Sequence, residues 1–141
     1  MGLPREERES FLAEPHIAAL SVAGKEGRAP LTVPIWYAYE PGGDAWILTE
    51  AESVKAKRIA EAGRFTLMVD RLEPTVRYVT VEGPATDAVP AKREEIDEMA
   101  SRYLPSPRAE QYVEWALANL GEHMVIRLRP EHWLSADMGA V

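Results

Sequence analysis

Ten residues, Thr49-Glu50-Ala51-Glu52-Ser53-Val54-Lys55-Ala56-Lys57-Arg58, concentrate the groups from which a phosphate site is made. Thr49 and Glu52 match a Thr-x-x-Glu capping box, which predicts a helix beginning just after Thr49. Helix N-termini favour acidic side chains, yet three cations follow within the first turns. A bound phosphate would reconcile the two, because free N–H groups, a hydroxyl and ammonium groups all favour an anion there. Ser53 and Lys57 are four apart and share a helix face, whereas Lys55 lies on the opposite flank. The competing reading is a solvated face on which Lys and Arg are offset by Glu50, Glu52 and Glu61.

Two further stretches carry candidate chemistry. In the first, Trp36, Tyr37 and Tyr39 crowd one strand beside Pro34. Such a strand is either an aromatic-rich core element or a wall along a planar ligand, with Pro34 leaving backbone groups unpaired. In the second, Arg77 and Tyr78 stand at the entry of a strand running to Gly83-Pro84. There they could reach a ligand or a second subunit, while Gly83-Pro84 bends the strand. The three histidines, His16, His123 and His132, share no metal-ligand spacing, and with cysteine absent no metal site is expected. No nucleophile elbow, P-loop or Gly-x-Gly-x-x-Gly is present, and no catalytic acid–base pair is singled out.

Composition narrows the class. The 141 residues suit a single domain spanning 1–141, and 46% apolar with 28% charged residues is globular usage. A net charge of -7 argues against nucleic-acid binding, which needs a basic surface. No apolar run approaches the roughly 20 residues of a membrane span. The N-terminus lacks the apolar core of a signal peptide, so a cytoplasmic protein is expected. Arginine outnumbers lysine 12 to 4, as in GC-rich bacterial genomes.

The elements that must position these residues are mostly strands. A short helix is expected over Pro4–Ala13, then a strand over His16–Val22. The alternation of Leu31, Val33, Ile35, Tyr37 and Tyr39 predicts one strand, edge-lying or bulged at Pro34. Ala45–Thr49 is its hairpin partner. A helix over Glu52–Gly63 should bury Ala56, Ile59, Ala60 and Gly63. Strands around Phe65–Val69 and Val79–Ala85 follow, then two helices burying Ile96, Met99, Ala100 and Tyr103, and Val113, Ala116, Leu117 and Leu120. Met124–Leu128 is expected as the last strand. Six short antiparallel strands with flanking helices give an α+β, mainly β chain, whose edges close into a small or split β-barrel.

Four segments together resemble the pyridoxamine 5′-phosphate oxidase-like superfamily, the FMN-binding split barrels and their deazaflavin-dependent relatives. They are Val33-Pro34-Ile35-Trp36-Tyr37; Trp46-Ile47-Leu48-Thr49 with Ser53-x-Lys55-x-Lys57; Gly63-Arg64-Phe65-Thr66-Leu67-Met68-Val69; and Arg77-Tyr78-Val79-Thr80-Val81-Glu82-Gly83-Pro84. The likeness covers about residues 10 to 90 and implies a six-stranded antiparallel split barrel forming a homodimer, with cofactor sites at the interface. It implies that the Leu31–Trp36 strand, through Val33, Pro34, Ile35 and Trp36, lies along the cofactor ring. Thr49, Ser53, Lys55 and Lys57, with Arg58 nearby, would hold the cofactor phosphate. Arg77 and Tyr78 would come from the neighbouring subunit. The cofactor implied is FMN or coenzyme F420, and the activity is hydride transfer to or from a small organic substrate. A non-catalytic split barrel that sequesters a flavin is the alternative. Val54 replaces the arginine usual after the serine, and Arg127, Arg129 and His132 do not match the grip on pyridoxal phosphate. These departures turn the expectation away from vitamin B6 synthesis.

Overall fold

The computed structural model describes residues 2–139. The elements run α1 (Arg5–Ala13), β1 (Ala18–Val22), β2 (Leu31–Ile35), β3 (Tyr37–Tyr39), β4 (Ala45–Glu50) and α2 (Val54–Ala62). They continue with β5 (Arg64–Arg71), β6 (Arg77–Pro90), α3 (Arg93–Tyr103), α4 (Arg108–Asn119), β7 (His123–Leu128) and β8 (His132–Asp137).

All strand pairs are antiparallel, in the order β2-β1-β5-β6-β7-β4-β3, with β8 also on β6. The two ends of that path, β2 and β3, are one run of chain interrupted only at Trp36. The sheet therefore curls back on itself. The long strand β6 pairs with β8 along its first half and with β7 along its second. Counting β2/β3 and β7/β8 as interrupted strands leaves six, the antiparallel split barrel expected from the sequence.

Gly83 makes the β7–β8 interruption possible. A Cβ at this position would lie 1.8 Å from the carbonyl oxygen of Arg129. The Arg129 amide donates to Pro84 O at 3.1 Å and that of Glu131 to Glu82 O at 2.9 Å, so the crossing is hydrogen-bonded on both sides of the glycine.

The barrel interior follows the alternation in the sequence. Leu20, Tyr37, Ile47, Phe65, Leu67, Val69, Val79, Val81 and Leu128 are buried, with Phe11 and Leu12 of α1 closing one end. Val33 and Ile35 pack against this core, while Pro34 is exposed. β2 lies at an end of the strand path, which suits a residue unable to donate to a ladder. The Tyr37 hydroxyl donates to Leu12 O at 2.6 Å and Glu14 O at 3.0 Å, anchoring the end of α1. Burial, reinforced by Tyr103, pushes its pKa far above that of a free phenol.

Five expectations need correction. The Leu31–Tyr39 strand is broken at Trp36, whose ring stacks on Tyr103 of α3. Helix α2 starts at Val54, because Ser53 is the N-cap and accepts from the Ala56 amide at 3.2 Å. Thr49 instead stays in β4, paired with Met124, so no Thr49–Glu52 box caps the helix. Arg58 and Ile59 occupy its buried face, and Ala60 and Gly63 are exposed, as is Leu117 of α4. Finally, Met124–Leu128 is not the last strand, since β8 follows it.

Candidate functional site

β4 ends at Glu50 and α2 begins four residues later, a tight strand-to-helix passage. Thr49 is buried, and its hydroxyl lies 2.9 Å from that of Ser53. Successive side chains of a strand face opposite sides, so Thr49 shares the inner face with Ala45 and Ile47. The first turn of α2 carries no acidic residue. Lys55 is half-buried and Lys57 exposed, the latter 3.6 Å from Glu52. Two hydroxyls, a helix opening and two ammonium groups thus share one short segment, a donor set suited to a phosphate.

Arg58 does not belong to this set. Its guanidinium donates to Ala23 O at 3.1 Å and Gly24 O at 3.1 Å, and pairs with Glu61 at 2.9 Å. With its side chain buried, Arg58 fastens α2 to the turn after β1. Gly24 is needed in that turn because a Cβ would sit 2.2 Å from Ala29 O.

The strand break at Trp36 lies beside the junction. The β3–β4 ladder ends at the Tyr37–Ile47 rung, one residue from Trp36 and two from Thr49. The structure brings Ile35 and Trp36 together with Leu48, the residue before Thr49, around one cavity. Arg77 and Tyr78 are not brought there. They open β6, whereas the Pro90–Met124–Thr49 rungs put the junction at the far end of that strand. Arg77 donates to Asp137 Oδ2 at 2.8 Å, and Arg71 and Thr75 engage the same oxygen at 3.3 and 2.9 Å. Tyr78 pairs with Asp70 and Ala136, one position from Arg77 and on the opposite face.

A cavity missed in the sequence adjoins the break. It has a volume of about 360 Å³ and lies between the barrel wall and α3 and α4. Leu48 and Ile35 form its floor, Ile96 and Ala116 come from the helices, and Trp36 and Tyr112 stand 5.3 Å apart, tilted by 49°. His123 lines it from β7. Burial, and secondarily Glu50, raise the pKa of Tyr112. The helical stripe Ile96–Ala100 was legible, but not that it stops short of the wall.

The family model described as pyridoxamine 5′-phosphate oxidase matches residues 4–136. The chain belongs to the pyridoxamine 5′-phosphate oxidase family. Solved structures with this family's fold include a conserved hypothetical protein of Mycobacterium tuberculosis, 22% identical, covering 96% of this chain and 85% of that one, with a TM-score of 0.72. An F420 reductase is 21% identical over 89% of this chain and 94% of its own, with a TM-score of 0.71. An FAD-binding protein from Mesorhizobium loti is 18% identical over 97% and 95%, with a TM-score of 0.67. At these identities the likeness establishes the fold of the family member. A comparison with curated proteins found no match. No helix among the described residues of this family member is long and apolar enough to cross a membrane.

Proposed function

We propose that the protein is an oxidoreductase that holds FMN or coenzyme F420 by its phosphate at the Thr49–Lys57 junction and acts on a small organic substrate. The observation that carries this reading is the Thr49–Ser53 hydroxyl pair, 2.9 Å apart, at a helix opening with no acid in its first turn and with Lys55 and Lys57 close by. Ser53 keeps the Ala56 amide satisfied. When bound, the flavin or deazaflavin ring supplies the hydride chemistry. The chain's part is to bind and orient: Thr49, Ser53 and the two lysines at the phosphate, and the Val33–Trp36 strand beside the ring. Family membership supports the reading, as do fold neighbours that include an F420 reductase and an FAD-binding protein.

The working form in this reading is a homodimer. Pro34, Ala19, Met68, Thr80 and Leu134 are register neighbours across β2, β1, β5, β6 and β8. This outer row is largely apolar, with Leu134 63% exposed and Ile17 beside it 55% exposed. A second chain packed there would cover it and bring its own Tyr78 towards the first chain's Pro34 strand.

Titration of the purified protein with FMN, FAD and F420, read by absorbance and fluorescence, tests the assignment. Stoichiometric binding of one of them is expected, and binding of none would refute it. Turnover over a panel of electron acceptors then separates an enzyme from a cofactor carrier.

A further inference from the structure

Resting on that cofactor reading, we propose that the cavity between α3, α4 and the barrel is the substrate seat. It admits an uncharged, flat, mainly apolar molecule bearing a hydrogen-bond acceptor. At about 360 Å³ the cavity lies at the small end of the roughly 300–1,000 Å³ range of small-molecule sites.

Its walls specify the ligand. Leu48, Ile96 and Met99 are apolar, and Trp36 and Tyr112 offer flat faces. Trp36 is held in place by Tyr103, stacked at 4.8 Å and 11° on it, so the indole plane is fixed before any ligand arrives. Polar side-chain atoms on the lining come only from the Trp36 indole, the Tyr112 phenol and the His123 imidazole. No lysine, arginine or carboxylate is among the lining residues. An ionised ligand would lose its hydration without a counter-charge, which is costly in an apolar site.

A carboxylate next to the lining residue His123 adds to the discrimination. Glu50 is the register partner of His123, and its Oε2 accepts from the Gly121 amide at 3.3 Å. On the face of β4 opposite Thr49, this carboxylate disfavours an anion in the cavity. The cavity and the phosphate junction also stay apart. Leu48 lines the cavity from the outer face of β4, whereas Thr49 faces inward. The seat shares Pro34, Ile35 and Trp36 with the strand assigned to the ring, so a ring held along that strand would form one wall of the seat.

Calorimetry at pH 8 with 2-acetonaphthone as an uncharged probe and 2-naphthoate as its anionic counterpart tests this. The ketone is expected to bind once per chain, the carboxylate at least tenfold more weakly, and Ala116→Phe should abolish ketone binding by filling the cavity. Ala116 is buried, so a second readout guards against misfolding. The ketone should quench tryptophan emission in the wild type, and Trp36→Phe should remove that quenching. Equal binding of the two probes, undiminished binding in folded Ala116→Phe, persistent quenching in Trp36→Phe, or displacement of the ketone by FMN or F420 would each overturn the assignment. Cofactor titrations on the wild type run alongside. If they fail while the ketone behaves as described, the cofactor reading falls and the cavity assignment survives. If the cofactor binds and the ketone does not, the reverse holds.

Discussion

The Tyr103 hydroxyl accepts from the Tyr37 amide at 3.1 Å and lies 2.8 Å from the carbonyl oxygen of His16, to which it donates. It also lies 3.0 Å from Tyr37 O. A strand broken at Trp36 leaves backbone groups without a ladder partner, and a side chain from α3 supplies what the ladder does not. Tyr103→Phe should strand the Tyr37 amide and destabilise the fold by about 1–3 kcal/mol. Urea denaturation followed by circular dichroism reads this directly. An unshifted midpoint would mean that water takes the place of the hydroxyl.

Arg58 and the two lysines should separate cleanly on substitution. Arg58→Ala removes a buried guanidinium bonded to Ala23 O and Gly24 O, at a cost of roughly 1.5–3 kcal/mol in stability. Cofactor affinity measured well below the unfolding transition should stay within twofold. A large loss of affinity with no loss of stability would return Arg58 to the phosphate site.

Gly83→Ala should be among the most damaging single-methyl changes in the chain. Its Cβ would meet the Arg129 carbonyl at 1.8 Å, and that backbone is pinned by the Arg129–Pro84 and Glu131–Glu82 bonds. A loss of at least about 3 kcal/mol, or roughly 10 °C in melting temperature, is expected. Differential scanning fluorimetry measures it. Wild-type stability in the variant would show that the β7–β8 crossing is free to move.

Asp137 predicts an acid-side transition. The Gly139 amide, then Arg77 and Thr75, hold its pKa down at about 2. An unfolded-state aspartate titrates at about 3.9. A depressed folded-state pKa contributes stability above the unfolded value and loses it as pH falls through the folded one. Wild-type stability should therefore decline between about pH 4 and pH 2, and Asp137→Asn should flatten that decline. Unfolding midpoints across this range would reveal parallel curves if the cluster does not matter.

The strand content was legible because the period-2 pattern is local. The inward set Leu31, Val33, Ile35, Tyr37 and Tyr39 keeps its parity through the break at Trp36. The break itself was hidden, since its cause is Tyr103, far along the chain on α3. The helix start was misplaced because Thr49 matches a capping pattern while pairing with Met124 gives it a ladder partner that a local motif cannot reveal. β8 escaped notice because its Leu134 is exposed and its buried residue is Ser135, whose hydroxyl accepts from the Leu3 amide at 2.9 Å. At the candidate site, Thr49, Ser53 and the lysines were readable as one segment. The role of Arg58 was not, because Ala23 and Gly24 belong to another element. The cavity needs α3, α4 and β4 in place before it exists at all.

The phosphate assignment at the Thr49–Lys57 junction is tested most directly by cofactor titration of the wild type against the Lys55→Ala, Lys57→Ala double variant. Partly desolvated charge-assisted bonds to a phosphate are worth more than about 1.4 kcal/mol together, a tenfold change in dissociation constant. The expected result is stoichiometric binding of FMN or F420 by the wild type, at least tenfold weaker in the double variant, with unfolding midpoints unchanged. Equal affinity in the two proteins would place the phosphate elsewhere and contradict the assignment.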